Sequence, residues 1–217
     1  MKITYDHVIW DFNGTVLDDV AIGIESINQM LAARGLPVLP DVESYRAVFD
    51  FPVEDYYRRV GFDFGKEDFK TVLAPEWVAL YEKASSRAML YAGVEPLNRF
   101  LRRCGVAQSI LSASHTGMIR EQLAAQGAQG WFDEIWGTDS ILAHGKGGLA
   151  DAWRTAHSAA RALLLGDTTH DFEVARRMGA DCILVAAGHH SREKLQACGV
   201  PVFSDLLECA AFLGLSE

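Results

Sequence analysis

Two apolar runs in this chain stop abruptly on aspartate. In VIWDFNGTVLDD, Val8-Ile9-Trp10 gives way to Asp11 and a glycine-containing loop. In LLLGDTTHD, Leu163-Leu164-Leu165 leads through Gly166 to Asp167 and, four residues on, Asp171. Read as strands far apart in sequence, the two runs place carboxylates at the carboxyl ends of neighbouring parallel strands. Open α/β sheets build their sites there. Carboxylates gathered in one place repel one another unless a cation sits among them. The pattern therefore outlines a Mg²⁺-assisted phosphoryl site.

The remainder of the sequence fits such a sheet. The first strand is predicted over 5–11. From Gly93 helix and strand alternate: helix 94–104, strand 106–112, helix 115–126, strand 134–137, helix 147–157, strand 161–166, helix 170–178, strand 181–186, helix 191–198, strand 200–203 and helix 205–213. This rhythm predicts an α/β fold, a doubly wound (Rossmann-like) parallel sheet with right-handed crossovers. The intervening stretch differs. Val20, Ile24, Ile27 and Leu31 recur at spacings of four and three, which makes 19–34 helical, with Gly35 as its stop. Further helical pieces follow at 41–49, 53–60, 66–73 and 76–84, with Pro52 and Pro75 as first-turn prolines, and no strand pattern appears between 18 and 85. The expected organisation is an α/β core domain of residues 1–16 and 87–217, with an all-helical domain inserted at 17–86.

Composition excludes several classes. A net charge of −9 argues against nucleic acid as the main partner, because backbone binding needs clustered Lys and Arg. The pairs Arg58-Arg59, Arg102-Arg103 and Arg176-Arg177 read as solvated helix faces. Hydrophobic content of 49% predicts a folded globular chain, not a disordered one. The four cysteines (Cys104, Cys182, Cys198, Cys209) show neither CxxC nor metal-ligand spacing, and Cys182 reads as a small buried thiol. With no leader-like segment before the first strand and no bilayer-length apolar run, a cytoplasmic location is expected.

Each candidate residue also has a purely structural reading. Asp11 is either a site carboxylate or an Asx turn after a strand. Gly14 and Thr15 favour the first, because a glycine loop can turn its N–H groups inward around an anion. Asp18 and Asp19 read as the cap and first-turn acid of the next helix. Ser112 either terminates its strand or, with the N–H of Ala113, holds a phosphoryl oxygen; Ser114 reads as a helix cap. Lys146, in AHGKGG, is either exposed or turned inward to neutralise Asp11 and an incoming phosphate. The glycines around it lack Walker spacing. Thr168 and Asp171 form a capping-box-like T-x-x-D, which leaves Asp167 as the better metal candidate. His189 and His190 are expected to face solvent, and His170 to lie near the carboxylates without a catalytic role.

In their order, WDFNGTVLDD, ILSAS, the Lys146 segment, GDTTHD and GHHSREKL resemble the haloacid dehalogenase superfamily, specifically its phosphoglycolate phosphatase-like branch with a helical cap. The resemblance implies that Asp11 is the nucleophile and forms an aspartyl phosphate. It implies Mg²⁺ held by Asp11, the backbone carbonyl of Asn13, and Asp167, with Asp171 assisting. It further implies that Ser112 and Lys146 grip the phosphoryl group while the cap closes and selects the substrate. Phe51, Pro52, Tyr56 and Tyr57 are candidates either for the lining of that cap or for its ordinary core. The expected partner is a small phosphorylated metabolite, with no nucleic acid and no membrane, and the chain acting as a monomer or homodimer.

One residue departs from the family pattern. The position two after the nucleophile normally carries a second Asp, which shuttles the proton; here it is Asn13. Its amide hydrogen-bonds but exchanges no proton at neutral pH. Losing general acid–base help costs about 10²–10⁴-fold in rate. The expectation is a slow or selective Mg²⁺-dependent phosphatase or phosphotransferase, best on leaving groups that need no proton, such as acyl or aryl phosphates. The alternatives are a catalytically weak phosphate-ester-binding or regulatory protein, and phosphonate or haloacid cleavage on the same scaffold.

Overall fold

A computed structural model describes residues 3–138 and 146–215; residues 143–145 of AHGKGG and the extremes of the expected core domain lie outside the described residues. Six parallel strands form one sheet in the order β5-β4-β1-β6-β7-β8. They are β1 (His7–Trp10), β4 (Ala107–His115), β5 (Glu134–Thr138), β6 (Ala162–Gly166), β7 (Asp181–Val185) and β8 (Val202–Phe203). The earliest strand is thus central, paired with β4 on one side and β6 on the other.

Side-chain alternation explains why both faces are covered. In β1, Val8 and Trp10 enter one apolar cluster while Ile9 enters another. In β6, Leu163 and Leu165 go to the first and Leu164 to the second. The first cluster is closed by α5 (Val94–Arg103), α6 (Thr116–Ala125) and α10 (Leu206–Leu213), through residues such as Leu97, Leu123 and Leu213. The second is closed by α7 (Gly147–Ala156), α8 (Thr169–Met178) and α9 (Arg192–Gln196), through Trp153, Val174 and Leu195. Parallel strands covered on both faces must be apolar throughout, which is why VIW and LLL read as continuous runs.

Between β1 and α5 lie α1 (Val20–Ala33), α2 (Val42–Val48), α3 (Val53–Arg59) and α4 (Ala74–Ser85), with a π-helical turn, Phe69–Leu73, leading into α4. Ile27, Met30, Leu31, Tyr45, Tyr56, Tyr57 and Leu73 bury themselves in a third cluster. The expected absence of strands here needs one correction. Leu17–Asp18 (β2) and Met89–Leu90 (β3) pair antiparallel where the helical segment leaves and rejoins the sheet. Two-residue strands are too short to show alternation. Pro52 precedes α3 at its N-cap, not inside its first turn, whereas Pro75 is in the first turn of α4. The helices also touch the far side of the sheet. Arg46 donates to the carbonyl oxygens of Gly188 and Ala187 at 2.8 and 2.6 Å, and Lys194 pairs with Asp50 at 3.0 Å.

The three basic pairs are exposed as expected, and Cys182 is buried. No helix among the described residues is long and apolar enough to cross a membrane.

At the opposite end of β1 from Asp11, His7 is 4% exposed, 2.6 Å from the Ser109 hydroxyl and edge-on to Trp153. Burial, helped by the neighbouring His157, pushes its imidazole down to about 4. The unfolded chain takes up this proton near pH 6.5 and the folded chain does not. Stability from this site is therefore complete above pH 6.5 and is lost as pH falls toward 4. At ~1.4 kcal/mol per unit the loss reaches about 3 kcal/mol. Denaturant midpoints of wild type and His7→Gln between pH 7 and 4.5 are expected to converge as pH falls. Parallel curves would contradict this.

Candidate active site

Register puts the acidic residues together. Trp10 sits opposite Ile110 of β4 and Leu165 of β6, so the residues just beyond, Asp11, Ser112 and Asp167, emerge side by side. The Asp11 N–H donates to the Leu165 carbonyl at 2.8 Å, which continues the ladder by one residue. α8 begins just after Asp167 and returns Asp171 to the same place. One oxygen each from Asp11, Asp167 and Asp171 lie within 4.8 Å of one another, and all three residues are buried.

Lys146 is the counter-charge. It is 6% exposed, and its Nζ donates to Asp11 Oδ1 at 2.5 Å and Asp171 Oδ1 at 2.6 Å. Asp171 divides its two oxygens between Lys146 and the capping box. Oδ1 takes Lys146, while Oδ2 accepts from the Thr168 N–H at 3.0 Å and hydroxyl at 2.7 Å, completing the capping box of α8. Burial raises Asp11 well above the carboxylate range, with Asp171 adding to the rise and Lys146 opposing it. Burial and Asp171 likewise push Asp167 up to about 7. Asp171 resists burial through Lys146 and Thr168 and stays below its usual value. The Lys146 ammonium, disfavoured by burial, is held charged by Asp11 and Asp171.

Three carboxylates against one ammonium leave an excess of negative charge. At 4.8 Å an unscreened carboxylate pair repels by roughly 3 kcal/mol for an effective dielectric near 20. The donors are all hard oxygens, with no sulfur or imidazole nitrogen among them, the set suited to a small divalent cation such as Mg²⁺. The residues present therefore fit a metal.

Asp167 is held by close-packed glycine backbone. Its Oδ1 accepts from the Thr15 hydroxyl at 3.2 Å and its Oδ2 from the His189 N–H at 2.6 Å. A Cβ on Gly14 would stand 2.3 Å from Asp167 Oδ2, and one on Gly188 2.1 Å from it. Gly14 also has φ of 78°, which disfavours any side chain. This corrects the expected anion cradle. The Gly14 N–H is spent on Asp19 Oδ1 and the Leu17 carbonyl, both at 2.9 Å, and neither Gly14 nor Thr15 lines the cavity. They buttress Asp167 and leave an incoming anion to other groups.

Asn13 lies at the centre of a second network. A carboxylate only accepts, so the amide must turn Nδ2 toward Asp19. Nδ2 donates to Asp19 Oδ2 at 2.7 Å and to the Tyr81 hydroxyl at 2.8 Å, and Oδ1 accepts from the Ser114 hydroxyl at 2.5 Å. Tyr81 in turn donates to Asp19 Oδ2 at 2.7 Å. Three sequence expectations change here. Asp19 stands at the N-cap of α1 but makes no side-chain cap bond; it is 2% exposed and turned inward, while Asp18 is exposed. A buried carboxylate gains more from three converging donors than from one helix N–H. Ser114 lies inside β4, and His115 caps α6 instead. His189 and His190 do not face solvent: His190 is fully buried, and His189 sits 2.8 Å from the Tyr45 hydroxyl and 3.5 Å from Asp19. Burial opposes ionisation of Asp19, yet His189, Tyr81 and Asn13 together hold it below the usual carboxylate range.

Ser112 is buried, with its hydroxyl accepting from the Ser114 N–H at 3.1 Å, and Ala113 follows it on the wall. His170 stacks on Phe51, 4.8 Å between ring centres, away from the carboxylates' hydrogen bonds. Above the acids lies a cavity of about 260 Å³, floored by Asp11, Asn13, Ser112 and Lys146 and walled by the helices. Phe51, Tyr56 and Tyr57 line it; Pro52 is exposed and does not. The sequence does not mark Tyr81, and Asp19, Ser114 and His189 read there as helix caps and a surface histidine, not as parts of the site. Only His189 had a signal: its loop follows a parallel strand at the sheet's carboxyl edge.

The family model for haloacid dehalogenase-like hydrolases matches residues 8–185. A "Probable phosphatase IndB" of Dickeya dadantii is 24% identical over 97% of this chain and 96% of its own. A phosphoglycolate phosphatase of Synechococcus elongatus is 24% identical over 88% of each chain. The solved structure of a haloacid dehalogenase-like hydrolase from Streptococcus pneumoniae superposes with a TM-score of 0.80 at 21% identity, over 96% of this chain and 98% of that one.

The Asn13–Asp19 contact yields a stability prediction. In Asn13→Asp, two carboxylates meet at the 2.7 Å now spanned by a hydrogen bond. A loss of about 1–3 kcal/mol is expected in chemical denaturation. Asn13→Asp combined with Asp19→Asn, which restores one amide facing one carboxylate, is expected to recover most of it. A double variant no more stable than the single one would contradict the pairing.

Proposed function

The chain belongs to the haloacid dehalogenase-like hydrolase family, and on that premise we propose a phosphatase or phosphotransferase that passes the phosphoryl group of a small phosphorylated metabolite through Asp11. The observation that supports this best is Lys146 bridging Asp11 and Asp171 at the floor of the cavity. In this reading an Asp11 oxygen attacks phosphorus, and Lys146 offsets the charge of both nucleophile and phosphoryl group. The Ser112 hydroxyl and the Ala113 N–H hold phosphoryl oxygens. Asp171 keeps Lys146 in place.

Mg²⁺ would be held by Asp11, the Asn13 carbonyl and Asp167, with Asp171 assisting; it would supply charge neutralisation of the phosphoryl oxygens. Residues 17–86 act as the cap, fastened by Arg46 and Lys194 and excluding water from the floor.

Asn13 sets the selectivity. Its amide hydrogens are committed to Asp19 and Tyr81, and it has no proton to give the departing oxygen or to take from water. Loss of the aspartyl phosphate is then the slow step. The same residue supports a second reading, a phosphate-ester-binding protein with little turnover. Carbon–halogen cleavage needs no cluster of three carboxylates. Of Lys66, Lys70 and Lys83, Lys70 alone borders the cavity, and it is solvent-exposed, which gives phosphonate cleavage through a lysine little support.

A pulse of p-nitrophenyl phosphate with Mg²⁺ tests the proposal, with nitrophenol and intact mass followed together. The expected result is a burst of nitrophenol and a phosphoryl mass adduct, both absent in Asp11→Asn. Turnover that survives Asp11→Asn would overturn the nucleophile. Ester binding with neither burst nor adduct would favour the binding protein.

A further inference from the structure

The wall of the cavity is aromatic. Tyr45, Phe49, Tyr56, Tyr57, Trp77 and Tyr81 face it from the helical segment, and among the described residues no arginine lines it. Of the lysines on it, Lys146 is engaged by Asp11 and Asp171, and Lys70 is solvent-exposed. Among the described residues, a leaving group carrying a carboxylate would find no buried lysine or arginine left free to pair with it, and burying an unpaired charge is costly. The rings, by contrast, give the wall an apolar surface, on which Phe49 and Trp77 are only half-buried. Trp77 lies flat on Tyr81, 4.9 Å between centres at 20°, and Tyr81 bonds the Asn13 amide at the floor. The size is also suitable: a cavity of ~150 Å³ holds one benzene ring, and this one offers about 260 Å³.

The chemistry of Asn13 points the same way by an independent route. A leaving oxygen that receives no proton must leave as an anion. A phenol, ionising near pH ~10, does so far more readily than an alcohol, whose ionisation resembles that of water near ~15.7.

We propose that the substrate is an aryl phosphate, a phosphomonoester of an aromatic hydroxyl whose ring is received by the aromatic wall. The inference rests on the phosphatase reading above and commits it to aryl over acyl or alkyl esters. In the first step an Asp11 oxygen forms a bond to phosphorus and the aryl P–O bond breaks. The electron pair leaves on the aryl oxygen, which is then protonated by water. In the second, water attacks the aspartyl phosphate and gives inorganic phosphate and the free carboxylate, its surplus proton passing to solvent.

The experiment compares kcat/KM for phenyl phosphate, acetyl phosphate and phosphoglycolate in wild type and in Val78→Phe, a substitution that fills the cavity wall. It also measures the affinity of wild type for phenylphosphonate and methylphosphonate by calorimetry. Wild type is expected to prefer phenyl phosphate over both others by about tenfold or more. Val78→Phe is expected to lower phenyl phosphate at least tenfold more than acetyl phosphate, and phenylphosphonate to bind at least tenfold tighter than methylphosphonate. Turnover of all three esters at similar efficiency, with equal phosphonate affinities, would overturn the aryl assignment and leave the phosphatase standing. Absence of all turnover would count against the phosphatase, and the phosphonate pair, which needs no turnover, would still decide what the wall receives.

Discussion

Three buried carboxylates share one ammonium, and much of the structure exists to hold that imbalance in place. Asp11 and Asp167 are delivered by adjacent parallel strands, whose apolar side chains fix the register from both faces. Asp171 arrives on the first turn of α8, and its second oxygen is tied down by the capping box, so it cannot swing away from Lys146. Gly14 and Gly188 let backbone approach Asp167 closely enough to clasp it. Left alone such an arrangement is unfavourable, as the raised Asp11 and Asp167 show. Carboxylates perturbed in this way by burial and by one another cluster at functional sites.

A second constraint couples this floor to the helices above. Asp19 at the start of α1 and Tyr81 on α4 both bond Asn13, which belongs to the loop after β1. Position 13 is therefore part of a hydrogen-bonded joint between the helical segment and the sheet. Asn13 gives the buried Asp19 a neutral donor, which an ionised carboxylate at the same position would not be. Buried polar networks of this kind are stable only when every member is satisfied, which explains why the chemistry of the floor and the aromatic wall must be considered together.

Much of the sheet was legible in the sequence because parallel strands buried on two faces leave continuous apolar runs, and because glycines and caps mark the helix ends. Strand and helix limits agree to within a few residues; β4 ran three residues longer than expected, through Ser114 to His115. Asp11, Ser112, Lys146, Asp167 and Asp171 were nominated from local motifs, and the structure brings them together. What local pattern could not supply was the partner of each polar group. Asp19 looked like a helix cap, since caps and buried network carboxylates share the same local sequence. Tyr81 lies 68 residues from Asn13 with no motif to mark it. Gly14 signalled a tight loop, but whether its N–H turns toward an anion or toward Asp19 depends on tertiary packing.

The most direct test of the carboxylate imbalance is a calorimetric titration of the purified protein with Mg²⁺ at pH 7.5, alongside Asp167→Asn. The predicted result is one ion bound per chain by wild type and none by the variant, with both proteins folded by circular dichroism. Folded wild-type protein that takes up no Mg²⁺, or a variant that binds it as tightly, would contradict the account.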